Sequence, residues 1–186
     1  GDVLYNLSVG MYRRGDIDST FIYAEKALAN RRKYLDSNHP KTIQNLIALG
    51  SFYKKIGNYE TSIDYTNEAL KLALKLNPLN YNSLVSTYFS LGSLNQAMFN
   101  YKEARENYDT ALSYYKDSLA TNMEFKGHIY NAIGVILEKE KDFASALIYY
   151  DQAIAIFRQS KNTLLTFIAY DNKANVYSNI GHYTEA

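Results

Sequence analysis

Along residues 2–14 the apolar positions Val3, Leu4, Leu7 and Met11 recur at the spacing of one helical face. Gly15 ends the run, as a residue able to take a positive φ does at a helix terminus. A second helix is predicted from near Asp16, with Ile17, Phe21, Ala24, Ala27 and Leu28 on its inner side. Its last turn carries Arg31-Arg32-Lys33, cations that complement the negative end of the helix dipole. Asp36-Ser37-Asn38-His39-Pro40 reads as a turn, with Pro40 placed to open the next helix. The same alternation predicts helices near 41–56, 60–76, 79–98, 101–118, 123–140, 143–160 and 163–180, with Asn77-Pro78 at one junction. Gly181-His182-Tyr183 is expected to turn into a further helix that stops at Ala186.

These helices are copies of one pattern. Its reference is Leu49-Gly50-Ser51-Phe52-Tyr53-Lys54-Lys55-Ile56-Gly57-Asn58-Tyr59, followed by Ser62, Thr66, Ala69 and Leu70. A step of 42 residues back gives Leu7, Ser8, Met11, Gly15, Ile17, Thr20, Ala24, Ala27 and Leu28 in the same slots. Steps of 42 forward give Leu91, Gly92, Asn95, Phe99, Tyr101, Ala104, Tyr108, Ala111 and Leu112, then Ile133, Gly134, Leu137, Lys141, Phe143, Ala146, Tyr150, Ala153 and Ile154. A partial copy follows after 40 residues, with Ala174, Tyr177, Gly181, Tyr183 and Ala186. A fixed period with small residues in fixed slots predicts an all-α solenoid, in which each antiparallel helix pair buries its apolar face on its neighbours. The expected units are about 1–42, 43–84, 85–126, 127–166 and 167–186, within one domain that is a fragment of a longer protein. Phe99 and Lys141 stand where the first two units have glycine. Either the turn differs there, or a side chain sits in a left-handed conformation at a cost of about 1 kcal/mol.

The motif resembles the tetratricopeptide repeat: a small residue, a large one three places on, Gly-x-Tyr, another small residue, then Ala-Leu. The resemblance spans essentially the whole chain. It implies a right-handed superhelical solenoid of four full helix pairs and a partial fifth, with the first helix of each pair, helix A, lining a concave face. The family's Trp slot holds Leu4, Leu46, Tyr88, Tyr130 and Tyr170, and the usual inter-repeat proline is displaced. Units of 42 residues with a His39-Pro40 junction are similar to kinesin light chain repeats and to bacterial tetratricopeptide sensor proteins.

Composition narrows the function classes. Twenty basic residues face nineteen acidic ones, so bulk charge argues against nucleic-acid or membrane-surface binding. Cysteine is absent, which removes disulfides, thiolate metal sites and cysteine nucleophiles. No apolar run approaches the roughly 20 residues of a membrane span, and no signal peptide is seen; a cytoplasmic location is expected. His39, His128 and His182 lie in different units without ligand-like spacing, and no phosphate-binding glycine loop is present. Neither an enzyme nor a cofactor is expected. Most of the 19 tyrosines fall on repeated slots and read as helix packing. Tyr5, Tyr12, Tyr34, Tyr81, Tyr114 and Tyr115 do not, and are the better candidates for contact.

Under the family resemblance, the A-helix slots left over from packing are Tyr5, Val9, Tyr12 and Arg13; Gln44, Ile47, Ser51, Lys54 and Lys55; Phe89, Ser93 and Gln96; His128, Asn131, Val135 and Glu138; and Asp171 and Asn175. This mixture of apolar groups, amides and cations suits an extended or helical peptide. The lysine and asparagine with which chaperone-binding members clamp a terminal carboxylate are replaced by Tyr5 and Val9, so a chaperone adaptor is not expected. The cations Arg13, Lys54 and Lys55 favour an acidic segment as partner. The expected function is a non-catalytic protein- or peptide-binding scaffold. The alternative is a ligand-sensing module that controls a kinase, protease or DNA-binding effector outside this sequence. A last repeat lacking most of its second helix is expected to leave Tyr170, Ala174 and Tyr177 uncovered and to promote self-association.

Overall fold

The computed structural model describes residues 1–36, 38–115 and 122–181, all of whose regular structure is helical. Two compact units divide the chain, Gly1–Asn100 and Tyr101–Ala186. The first contains α1 (Asp2–Arg14), α2 (Ile17–Tyr34), α3 (Pro40–Lys55), α4 (Tyr59–Ala73) and α5 (Tyr81–Ala97). The second contains α6 (Tyr101–Ser113), α7 (Met123–Lys139), α8 (Phe143–Gln159) and α9 (Thr163–Asn179). Within each unit every helix packs on the next, and α3 also meets α5 while α7 meets α9, as stacked helix pairs require. His182, Tyr183 and Ala186, on which the start of a tenth helix was expected, lie outside the described residues.

The helix boundaries have a common cause in the turns. Asp16, Asn58, Asp142 and Asn162 each accept a hydrogen bond from the backbone N–H three residues on, satisfying one of the donors that a helix start leaves over. The residue just before each of these caps is left-handed. Gly15 and Gly57 have φ of 79°. Lys141 and Lys161 take the same conformation without being glycine, at φ of 64° and 57°, as does Phe99 at 63°. The turn is therefore kept and the side chain takes the strained conformation. Lys141→Gly is expected to raise stability by about 0.5 kcal/mol, the left-handed penalty outweighing the entropy glycine adds to the unfolded chain. A urea midpoint that falls would contradict this.

Three predicted edges move, among them the end of α6, which stops at Ser113 where a helix to about 118 is predicted. α5 begins at Tyr81 rather than near 79, because Asn80 caps it by accepting from the Ser83 N–H at 2.9 Å, which leaves Pro78 in the preceding loop. α4 stops at Ala73 rather than near 76.

The core follows the repeated slots. In the first unit Ala24, Ala27, Leu28, Ile43, Leu46, Leu49 and Leu84 are essentially inaccessible, and in the second Ile129, Ile133, Ile136, Tyr150, Ala153 and Phe157. The small slot sets how closely a helix pair can approach. At Gly50 a β-carbon would lie 2.6 Å from Thr66 Oγ1, and Ser62 Oγ donates across the gap to the Gly50 carbonyl at 2.7 Å. No helix among the described residues is long and apolar enough to cross a membrane.

Candidate functional site

In the first unit the slots predicted to face a ligand lie on α1, α3 and α5. Arg13, Gln44 and Lys55 are exposed, while Val9, Ile47, Ser51, Phe89 and Gln96 are half-buried. Tyr12 is drawn inward, its ring 4.7 Å from that of Phe52 on α3. Tyr5 lies beneath the Arg31 guanidinium, 4.6 Å from its ring centre, an arrangement favoured by the ring quadrupole. The structure brings Lys54 and Ser93 together: Lys54 Nζ donates to Ser93 Oγ, joining α3 to α5. Burial pushes the Lys54 ammonium below the ordinary lysine pKa.

In the second unit two side-chain pairs tie α7 to α9. Asn172 Nδ2 donates to Asn131 Oδ1 at 3.0 Å, and Asn179 Nδ2 donates to Glu138 Oε1 at 3.3 Å. Both pairs are spaced seven residues apart, two helical turns, so their side chains share one stripe on each helix. The other oxygen of Glu138 accepts from Tyr150 Oη at 3.0 Å, and burial together with this carboxylate pushes the Tyr150 hydroxyl pKa up. Val135 is half-buried, and Asp171 and Asn175 on α9 are exposed. His128 sits edge-on to Phe157, with ring centres 5.4 Å apart; burial holds its pKa below the usual histidine value, which favours the neutral ring at neutral pH. That environment suits a packed imidazole. Among the described residues no three histidine, aspartate or glutamate side chains gather as a metal site would need.

One cluster escaped the sequence. Arg31, read as a helix-end cation, is 2% exposed and joins three helices. Its Nη2 donates to Asp2 Oδ1 at 3.0 Å, while its Nη1 reaches the Lys41 carbonyl and, at 3.5 Å, Asn45 Oδ1. Asn45 in turn donates to the Ala24 carbonyl at 3.2 Å. The available signal was Asn45, a polar residue in a slot that elsewhere holds Thr87, Ile129 and Ala169.

With stacked A/B pairs, small residues at the crossings and left-handed turns in view, comparison with known families is direct. The family described as Tetratricopeptide repeat matches residues 2–75 and 83–159. The chain belongs to the tetratricopeptide repeat family. No curated protein matches it significantly. Among solved structures, BtubC (BKLC) from P. vanneervenii is similar at TM-score 0.75 and 20% identity, with 88% of this chain and 66% of that one covered. A putative kinesin light chain from Podosopora anserina with nearly identical TPR-like repeats gives TM-score 0.73 at 15% identity, covering 99% of this chain and 88% of that one. A Signal Transduction ATPase with Numerous Domains from Pyrococcus horikoshii, which carries a tetratricopeptide repeat sensor, gives TM-score 0.80 at 17% identity, covering 97% and 27%. This chain thus spans about two thirds of BtubC and about a quarter of the ATPase. At these identities the likeness shows the tetratricopeptide fold, one that commonly mediates protein interactions.

Proposed function

We propose that this tetratricopeptide repeat chain is a non-catalytic scaffold that binds a protein or peptide through the free side chains of its A helices. The supporting observation is the set of side-chain hydrogen bonds between successive A helices, Lys54 to Ser93, Asn172 to Asn131 and Asn179 to Glu138. These fix each pair of A helices before a ligand arrives, so little ordering cost falls on the receptor. Between the bonded pairs, Arg13, Gln44 and Lys55 in the first unit and Asp171 and Asn175 in the second remain exposed. An acidic segment suits the first unit's cations, and micromolar affinity, roughly −8 kcal/mol, fits a preformed surface of this kind. Self-association is part of the same proposal: Leu164 and Phe167 on α9 are 69% and 67% exposed, and Tyr170 is 45% exposed.

The likeness to a sensor-bearing ATPase supports a second reading, a module whose ligand controls an attached effector. In that case ligand binding changes the scattering radius; a passive scaffold keeps it. The scaffold itself is tested by selecting binders from a displayed peptide library and mapping them by amide hydrogen exchange. Protection is expected on A helices, α3 and α5 in the first unit or α7 and α9 in the second. Protection confined to the B helices α2, α4 and α8 would overturn the proposal.

A further inference from the structure

We infer that Lys54, together with Ser93, forms a seat for a single carboxylate of the bound segment. The inference rests on the scaffold reading and names the chemistry at one point of that face. Lys54 is half-buried on α3, and its only protein acceptor among the described residues is the Ser93 hydroxyl. Three other cations of the same unit have carboxylate partners: Arg31 and Lys41 share Asp2, and Arg32 meets Glu68. Lys54 has no such partner, and burial alone accounts for its lowered pKa, without help from a neighbouring charge of either sign.

Glu138 provides the contrast. It occupies the corresponding slot two repeats later, and both its oxygens are engaged, one by Tyr150 and the other by Asn179. One charged slot is thus satisfied internally and the other is left open.

An ammonium carries three N–H donors, and Ser93 accepts one. Water can serve the other two while the face is free, but a ligand lying across α3 and α5 displaces that water. A neutral ligand would leave a desolvated cation, and a cationic one would add repulsion. A carboxylate restores the balance: one oxygen accepts from Lys54, and the other accepts from the Ser93 hydroxyl, whose own proton is free to donate while its oxygen holds Nζ. Charge-assisted bonds of this kind are about twice as strong as neutral ones.

The test uses the full chain and two matched sets of short labelled peptides, one carrying Asp and Glu at its varied positions and the other Asn and Gln. Each set is made with free and with amidated C-termini. The acidic set is expected to bind about tenfold more tightly than the amide set. Lys54→Gln is expected to abolish that difference, Lys54→Arg to keep most of it, and Lys71→Gln, the same charge change at an exposed position on α4, to leave it intact. Loss of the preference on amidation would assign a terminal carboxylate to the seat; survival would assign a side chain. If both sets bind the A helices equally, or the preference survives Lys54→Gln in a protein that melts as the parent does, the seat is wrong and the scaffold stands. If neither set binds the A helices, both fall.

Discussion

Replacing Arg31 with alanine is expected to cost about 3 kcal/mol, the range in which removing one member of a buried charged network falls. The same change at Arg32, the next residue, is expected to cost under about 1 kcal/mol. Both arginines lie in the last turn of α2 and both meet a carboxylate. Arg32 makes the better-formed ion pair, with two bonds to Glu68 at 2.6 and 2.8 Å, but its side chain is 50% exposed and that of Glu68 is 39% exposed. Water competes for both partners, and salt screens them. Arg31 is 2% exposed, and two of its acceptors are neutral oxygens that water does not reach freely, the Lys41 carbonyl and Asn45 Oδ1. Alanine would leave Asn45 Oδ1 without its donor, open a cavity against the Tyr5 ring and remove one of the ties between α1 and α3. Asp2 matters less, because its side chain is 56% exposed and regains water when unpaired. Urea unfolding of the three variants Arg31→Ala, Arg32→Ala and Asp2→Asn decides the point. Equal midpoints for the two arginine variants would show that the buried guanidinium stabilises no more than a surface pair.

The contrast between these two arginines also marks where sequence reading stops. The period of 42 located every described helix, because each apolar slot is written several times and errors in one copy are corrected by the others, although α6 ends five residues before its predicted limit. A small residue recurs at Ser8, Gly50, Gly92 and Gly134, and at Gly50 and Gly134 a neighbouring helix does approach closely. Arg31 has no counterpart in the pattern. Its burial depends on where α1 and α3 pass relative to the end of α2, which a single helix's periodicity does not contain. The candidate face divides in the same way. Slot arithmetic assigned Lys54, Ser93, Asn131 and Glu138 to one side of the A helices, but their pairing depends on the rotation between consecutive repeats. Tyr12 stands in a slot that is not aromatic elsewhere, so the repeat does not show that its ring packs on Phe52. For Phe99 and Lys141 the sequence left two options open, and the left-handed backbone chose the strained side chain.

The small slot also yields the second large effect. Gly134→Ala is expected to destabilise the second unit by about 2 kcal/mol, although alanine is the better helix former by about 1 kcal/mol. A β-carbon at Gly134 would stand 2.7 and 2.8 Å from two carbons of the Tyr150 ring, roughly an ångström inside normal contact. The ring has nowhere to go. It is fully buried between Ala146 and Ala153 along α8, and its hydroxyl is held by Glu138. Either α7 and α8 separate, loosening Ile133 and Leu137 from the core, or Tyr150 swings out and surrenders both its packing and its hydrogen bond. The control is the same substitution at Gly10, mid-way along α1, where a β-carbon would meet nothing within 4 Å. There only helix propensity operates, and Gly10→Ala is expected to stabilise by about 1 kcal/mol. Thermal melts should move in opposite directions, by about 2–4 °C per kcal/mol for a chain of this size. Hydrogen exchange should place the loss in α7 and α8, since repeat stacks lose stability at the interface that is damaged. Gly134→Ala combined with Tyr150→Leu, which removes the ring that clashes, should lose less than the two single losses added together, because the overlap is counted in only one of them. Additive losses would mean that the ring and the missing β-carbon do not meet, and that the recurring small residue serves some purpose other than close helix packing.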